Sequence, residues 1–171
     1  MERDQKGPAC GPAHIFLTGQ KRVGKSTLIG KYLRDFQGRV GGFRTVRTDS
    51  VCGVRYSVHL LRPGQEPGEE NLLFLCGEPR DEAVWARFDR LGCAALEDTE
   101  DYDLILMDEL GPAEANAKAF QQAVLRALDG RTPILGVLQK AESPFLRQIA
   151  AHPRVTVLDI TADNRDKIHI K

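Results

Sequence analysis

Nine consecutive residues near the N-terminus have the types and spacing of a phosphate-binding loop. They read GQKRVGKST and fit the pattern G-x-x-x-x-G-K-[ST]. Gly19 and Gly24 permit backbone conformations that a Cβ atom disfavours, so successive N–H groups can turn toward one anion. We expect Lys25 to reach the β- and γ-phosphates of a nucleoside triphosphate and Ser26 to hold Mg²⁺. The predicted nucleotide-binding residues of this loop are Gly19, Gln20, Lys21, Arg22, Val23, Gly24, Lys25, Ser26 and Thr27.

The segments on either side of the loop predict how it is held. Residues 14–18 (HIFLT) form an apolar run that predicts a buried strand, and 24–36 has apolar residues at helical spacing. The helix N-terminus would add about half a positive charge facing the phosphates. Lys21 and Arg22 add further positive charge. We interpret them as solvent-facing, with stabilisation of the γ-phosphate in the manner of an arginine finger as the alternative.

A second motif consists of two acidic residues, Asp108 and Glu109, which follow another buried run, 104–107 (LILM). In open α/β sheets ligands bind beyond the carboxyl ends of the strands, so we expect Asp108 to emerge beside the loop and complete the Mg²⁺ shell. Glu109 is placed to orient or deprotonate the attacking water, which makes Lys25 and Glu109 the predicted catalytic pair. Glu114 is a second candidate for orienting the water, and its alternative role is to cap a helix start.

The remaining pattern predicts the fold that positions these motifs. Apolar strands alternate with amphipathic helices, which indicates an α/β fold whose mostly parallel sheet is flanked by helices. A β-hairpin with one solvated face is predicted over 41–62. Further strands are predicted at 72–75, 133–138 and 155–160, and further helices at 81–96, 115–128 and 143–151.

Composition limits the possible partners and location. The 171 residues carry 24 Lys and Arg against 24 Asp and Glu, so no net charge favours a nucleic acid or an acidic membrane surface. No stretch approaches the ~20 apolar residues that span a bilayer. The four cysteines lack C-x-x-C spacing, which argues against a zinc site or a disulfide framework. We expect a cytoplasmic protein with a flexible tail over 1–12 and one domain over 13–171; its oligomeric state, monomer included, stays open.

Taken together, these motifs resemble those of the small P-loop nucleoside-triphosphatases of the THEP1 type. The similar segments are HIFLTG-x4-GKSTLI at 14–29, GFRT at 42–45, GVRY at 53–56, DELGP at 108–112 with Glu114, and NRD at 164–166. The resemblance implies a RecA-like P-loop NTPase sheet with an added antiparallel β-hairpin. It also implies Mg²⁺-dependent hydrolysis of ATP, GTP and other nucleoside triphosphates to diphosphates, with broad base tolerance.

The same resemblance places Asn164 and Arg165 near the base or at a closing edge of the site. Their alternative roles are a helix-capping Asn and a surface Arg. The chain departs from the family at three places: Gln20 to Arg22 replace the usual Pro and Gly, 46–47 (Val-Arg) lack the usual acidic residue, and Ala113 replaces Met. These departures leave phosphate binding intact, and they leave the turnover rate and the physiological substrate open.

Three other functions compete with hydrolysis. A regulatory GTPase is favoured by the match of 108–111 to D-x-x-G and by a loose match of 139–142 (QKAE) to N-K-x-D. The outer residues of that second match are one methylene too long to read guanine, and too few elements separate the two motifs. A small-molecule kinase would need an Arg-rich lid, but the arginines around 80–90 are spaced like a solvated helix face. A nucleotide-binding accessory protein is the third alternative.

Overall fold

The computed structural model describes residues 13–49 and 55–170. Within these ranges the chain forms a seven-stranded sheet, four α-helices and three short 3₁₀ turns. The strands are β1 His14–Thr18, β2 Val40–Asp49, β3 Tyr56–Leu61, β4 Leu72–Leu75, β5 Leu104–Leu110, β6 Ile134–Leu138 and β7 Val155–Asp159. The helices are α1 Lys25–Asp35, α2 Glu82–Ala95, α3 Lys118–Asp129 and α4 Pro144–Ala150. The 3₁₀ turns are Glu69–Asn71, Thr99–Asp101 and Pro112–Glu114.

The sheet has the strand order β4-β3-β2-β5-β6-β1-β7. The five neighbouring strands β2, β5, β6, β1 and β7 pair in parallel. At the other edge β3 pairs antiparallel with both β2 and β4. This arrangement confirms the predicted α/β sheet with an added antiparallel hairpin. Because parallel strands point the same way, the loops that follow β1, β5 and β6 meet at one edge.

Helices cover both faces of the sheet. On one face α2, α3 and α4 pack into a large core that includes Phe43, Phe88 and Phe120. On the other face α1 packs through Leu28 and Ile29 onto the opposite side chains of the parallel strands. The central strands β5 and β6 are buried at nearly every position, so the side chains on both faces of the sheet need helices to cover them.

Local signals set several helix starts. The Asp81 carboxylate accepts hydrogen bonds from the N–H groups of Ala83 and Val84 and so caps α2. Ser143 caps α4 through the N–H of Leu146, and Pro144 follows in the first turn of the helix. Within the residues that the structure describes, no helix has the length and apolar character to cross a bilayer.

Two of the element boundaries that differ from the sequence prediction bear on the site. Strand β5 continues to Leu110, so the two carboxylates lie within the strand rather than after it, because Leu110 still pairs with Leu138 of β6. Helix α3 begins at Lys118 instead of Ala115, because 112–114 forms a 3₁₀ turn that opens with Pro112. The predicted tail at 1–12 and the hairpin tip at 50–54 lie outside the described residues.

Candidate active site

The phosphate loop connects β1 to α1 and depends on two left-handed glycines. Gly19 has φ +142° and Gly24 has φ +114°. A Cβ atom on Gly19 would collide with the carbonyl oxygen of Ile160, which follows β7. Since Ile160 donates its N–H to Thr18 at 2.8 Å, this close approach is part of the sheet itself. Gly19 is therefore required both by its conformation and by the adjoining chain.

The start of α1 has the charge and the backbone N–H groups that favour an anion. Gly24 is the N-cap residue and has no side chain to satisfy the amides of the first turn, and that turn contains no acidic residue. The ammonium of Lys25 reaches back over the loop and donates to the carbonyl oxygens of Gly19 at 2.8 Å and Gln20 at 2.7 Å. The helix N-terminus and the lysine thus present positive charge on the same side of the loop.

The loop opens into a cavity of about 550 Å³ that also contains Glu109. The structure thereby brings Glu109, which is distant in sequence, to the phosphate loop. Val23 is an exception among the predicted loop residues, since its side chain packs against the α1-side core. The lining residues are Gly19, Gln20, Lys21, Arg22, Gly24, Lys25, Ser26, Thr27, Glu109, Gln139 and Lys140.

Asp108 lies one residue before Glu109 and is 7% exposed. Burial raises the pKa of its carboxyl to about 6, and the neighbouring Glu109 raises it too, while the positive charges of Arg44 and Lys25 lower it. Among the described residues its carboxylate has no hydrogen-bonding partner, although it is near the lysine of the phosphate loop. The Asp108 carboxylate and the exposed hydroxyl of Ser26, at the start of α1, both offer oxygen atoms. Oxygen atoms of this kind are the ligands that Mg²⁺ prefers.

The two candidate water-orienting residues have different surroundings. Glu109 is half-buried, lines the cavity and donates its backbone N–H to Thr45 Oγ1 at 3.3 Å. Glu114 is 3% exposed, and its Oε1 accepts a hydrogen bond from the N–H of Gly111 at 2.6 Å. Burial raises the pKa of Glu114 to about 8. This geometry favours the capping role for Glu114 and leaves Glu109 as the carboxylate that faces the cavity.

Asn164 and Arg165 lie in the turn that follows β7. The Asn164 side chain accepts from the N–H of Thr161 at 2.8 Å and donates to the carbonyl of Asp159 at 2.9 Å, so it holds the turn closed. Arg165 crosses to the phosphate loop, where its guanidinium donates to the carbonyl of Val23 at 3.4 Å. The structure therefore places Arg165 against the loop and engages Asn164 in a cap.

Sequence reasoning missed two residues of this cavity, Gln139 and Lys140. They entered only as part of a loose guanine-recognition match. Both follow β6, and the rule that ligands bind beyond the carboxyl ends of parallel strands would have found them had the strand order been known. The ammonium of Lys140 forms a salt bridge with Asp159 at 3.1 Å, and both side chains are about half exposed.

The fold and the site together define the class of protein. A mostly parallel sheet with helices on both faces, a G-x-x-x-x-G-K-S loop between β1 and α1, and an acidic strand end at the same edge are those of a P-loop NTPase. The sequence profile of the family described as NTPase matches residues 14–171, and the chain belongs to that family, the THEP1-type nucleoside-triphosphatases. This membership confirms the resemblance and the predicted enzyme class.

Individual relatives match over nearly the whole chain. The nucleoside-triphosphatase THEP1 of Thermotoga sp. strain RQ2 is 28% identical over 163 residues, covering 90% of each chain. The nucleoside-triphosphatase THEP1 of Methanosarcina barkeri strain Fusaro is 30% identical over 161 residues, covering 89% of this chain and 90% of its own. The crystal structure of THEP1 from Aquifex aeolicus superposes with a TM-score of 0.65 at 20% identity, covering 90% of this chain and 92% of that one, which supports the fold.

Proposed function

We propose that this chain hydrolyses nucleoside triphosphates to diphosphates and phosphate, with Mg²⁺ as cofactor and with tolerance for different bases. The observation that carries the proposal is a single cavity lined both by the phosphate loop, Val23 excepted, and by Glu109. A loop of this kind binds phosphates, and a carboxylate lining the same cavity adds a group able to act on water.

Binding of the triphosphate follows from the loop. The first-turn amides of α1 and the left-handed glycines supply N–H donors to the phosphate oxygens. The Lys25 ammonium, which lies over the loop carbonyls, would exchange those contacts for the β- and γ-phosphates. Lys21 and Arg22 are exposed along the same cavity and add positive charge at its rim.

Ser26 and Asp108 are the residues that would hold Mg²⁺. A metal ion held by these two residues would supply positive charge to offset the negative charge that develops on the phosphates during transfer. Asp108 needs to be ionised for this role, and the nearby Lys25 and Arg44 charges favour that form against the effect of burial.

Glu109 would orient the attacking water and accept its proton. The water oxygen forms a bond to the γ-phosphorus, the bond from that phosphorus to the bridging oxygen breaks, and the diphosphate leaves with the bridging oxygen. The hydrogen bond from the Glu109 N–H to Thr45 holds this end of β5 against β2. Most of the acceleration in such a site comes from positioning and charge neutralisation.

Broad base tolerance is supported by what the residues near the cavity already do. The side-chain amide of Asn164 is used in closing its own turn, and the Lys140 ammonium is paired with Asp159. A base edge would therefore find few donors and acceptors in these two side chains that are still free to bind it. Hydrogen bonds to a base are what give strong discrimination between bases.

The test is phosphate release from ATP, GTP, CTP and UTP, each with and without Mg²⁺, with water as the sole acceptor. The Lys25→Ala variant, purified in parallel, controls for contaminating phosphatases. We expect Mg²⁺-dependent release from all four nucleotides. Slow release from GTP alone would favour a GTPase switch, release that needs an added acceptor would favour a kinase, and binding without release would favour an accessory protein.

A further inference from the structure

The residue that follows β6, Gln139, lies on the wall of the candidate active site. Strand β6 is between β5, which carries Asp108 and Glu109, and β1, which leads into the phosphate loop. The backbone N–H of Gln139 donates to the carbonyl of Leu110 at 2.8 Å, which ties the end of β6 to the end of β5. Its position relative to Glu109 is therefore set by the sheet.

The side chain of Gln139 packs flat against Gly111. A Cβ atom built on Gly111 would lie 2.6 Å from Cδ, 2.7 Å from Oε1 and 2.8 Å from Nε2 of Gln139. Gly111 has φ −150°, an extended conformation that any residue adopts, so the backbone does not require glycine here. A larger residue at 111 would instead have to displace the Gln139 amide from its present position.

The amide has no hydrogen-bonding partner within the described part of the chain, although it is half-buried and borders a polar cavity. A carboxamide offers an acceptor oxygen and two N–H donors side by side. The acceptor oxygen is complementary to the O–H of a water molecule, and the N–H donors are complementary to a phosphate oxygen. The Gln139 amide thus lies against Gly111 at the cavity wall, and its polar atoms are available to a ligand in the cavity.

We infer that Gln139 is a further catalytic residue of this site. Its Oε1 accepts a hydrogen bond from the attacking water, and its Nε2 donates to a γ-phosphate oxygen. The inference rests on the proposed hydrolysis. The amide takes up no proton: one proton of the water passes to Glu109 as the new oxygen–phosphorus bond forms and the bond to the bridging oxygen breaks. Gln139 fixes the line of attack, as glutamine does in other phosphoryl transfers to water.

The test compares kcat, KM and nucleotide affinity in Gln139→Leu with those of the wild type. Leucine has a similar volume and no polar atoms. We expect kcat to fall by about a hundredfold while the Kd for a non-hydrolysable triphosphate stays within about twofold. The matched control is Gln122→Leu, at an exposed position of α3 outside the cavity, which should leave kcat unchanged.

A second variant approaches the amide from the other side. Gly111→Ala should displace Gln139 without altering any predicted phosphate or metal contact, and it should lower kcat at unchanged affinity. The double variant Gly111→Ala with Gln139→Leu should be no slower than the slower single variant, because both changes remove the same contact. Independent, multiplying losses would mean that Gly111→Ala acts on something other than Gln139, and would refute the placement of the amide against Gly111 from which the inference is argued.

The outcomes separate this inference from the proposed function. If the wild type releases no phosphate into water, the proposed hydrolysis fails and the inference with it. If the wild type hydrolyses and Gln139→Leu retains its kcat, only the inference fails. Should the leucine variant not fold, Gln139→Asn keeps the amide but withdraws it by one methylene. Wild-type kcat in that variant would equally refute a role that depends on reach.

Discussion

Glu114 offers a quantitative test of the structure, since it is a buried carboxyl whose ionisation opposes folding. It is 3% exposed, and burial raises its pKa from 4.5 to about 8. The folded protein therefore keeps Glu114 protonated at pH 7, whereas the unfolded chain ionises it. The favourable contribution of the protonated form is complete below about pH 4.5 and is lost as the pH rises through about 8.

The size of this effect follows from the interval between the pKa values. Between pH 4.5 and pH 7 the unfolded state gains about 1.4 kcal/mol of relative stability for each pH unit, or about 3 kcal/mol in all. Glu114→Gln keeps the shape and the Oε1 acceptor for the Gly111 N–H but cannot ionise. We expect the stability of the variant relative to the wild type to rise by about 3 kcal/mol over this pH range.

Urea unfolding at several pH values between 4.5 and 8, followed by Trp85 fluorescence, measures this difference. The matched control is Glu142→Gln, because the Glu142 side chain is 92% exposed and should show no such pH-dependent gain. A stability difference between Glu114→Gln and the wild type that does not change with pH would refute the burial argument. If the same variant also retains kcat, Glu114 has no part in orienting the water.

Three further changes test the site. Lys25→Ala should weaken triphosphate binding by about a hundredfold or more, measured by calorimetry, because it removes a cation from the phosphates; unchanged affinity would contradict the phosphate-loop assignment. Glu109→Gln should bind nucleotide normally and lose about 10²–10⁴-fold in kcat; full activity would move the water-orienting role to Glu114 or to backbone positioning. Gly19→Ala should cost more than about 2 kcal/mol in urea unfolding, since φ is +142° and the Ile160 carbonyl occupies the Cβ position; a stable variant would show that the loop can rearrange.

Helices and central strands were predictable because their signals are local. The apolar runs at 14–18 and 104–107 and the helical spacing in 82–95 required no knowledge of neighbours. The capping pair Ser143 and Pro144 likewise marked the start of α4. These elements recur in the structure with boundaries shifted by a few residues.

Strand β2 shows where such reasoning stopped. The pattern over 41–62 predicted a hairpin, but the first half of β2, 40–44, pairs in parallel with β5 in the central sheet. Gly41 and Gly42 permit this pairing, because a Cβ atom on them would meet the Tyr102 ring and the Leu106 carbonyl respectively. Those contacts come from distant parts of the chain, so the glycines did not reveal their purpose in the local pattern.

The phosphate loop could be recognised from the sequence alone, because its strand, glycines, lysine and helix start are contiguous. The tertiary structure decided which residues face that loop. The order β5-β6-β1 brings Glu109 and Gln139 to it, and the turn after β7 brings Arg165. Strand order depends on ladders between distant segments, whose pairing no local pattern specifies. The tertiary structure likewise decided that Glu114 is buried. Its burial favours Glu109 over Glu114 as the carboxylate that orients the water.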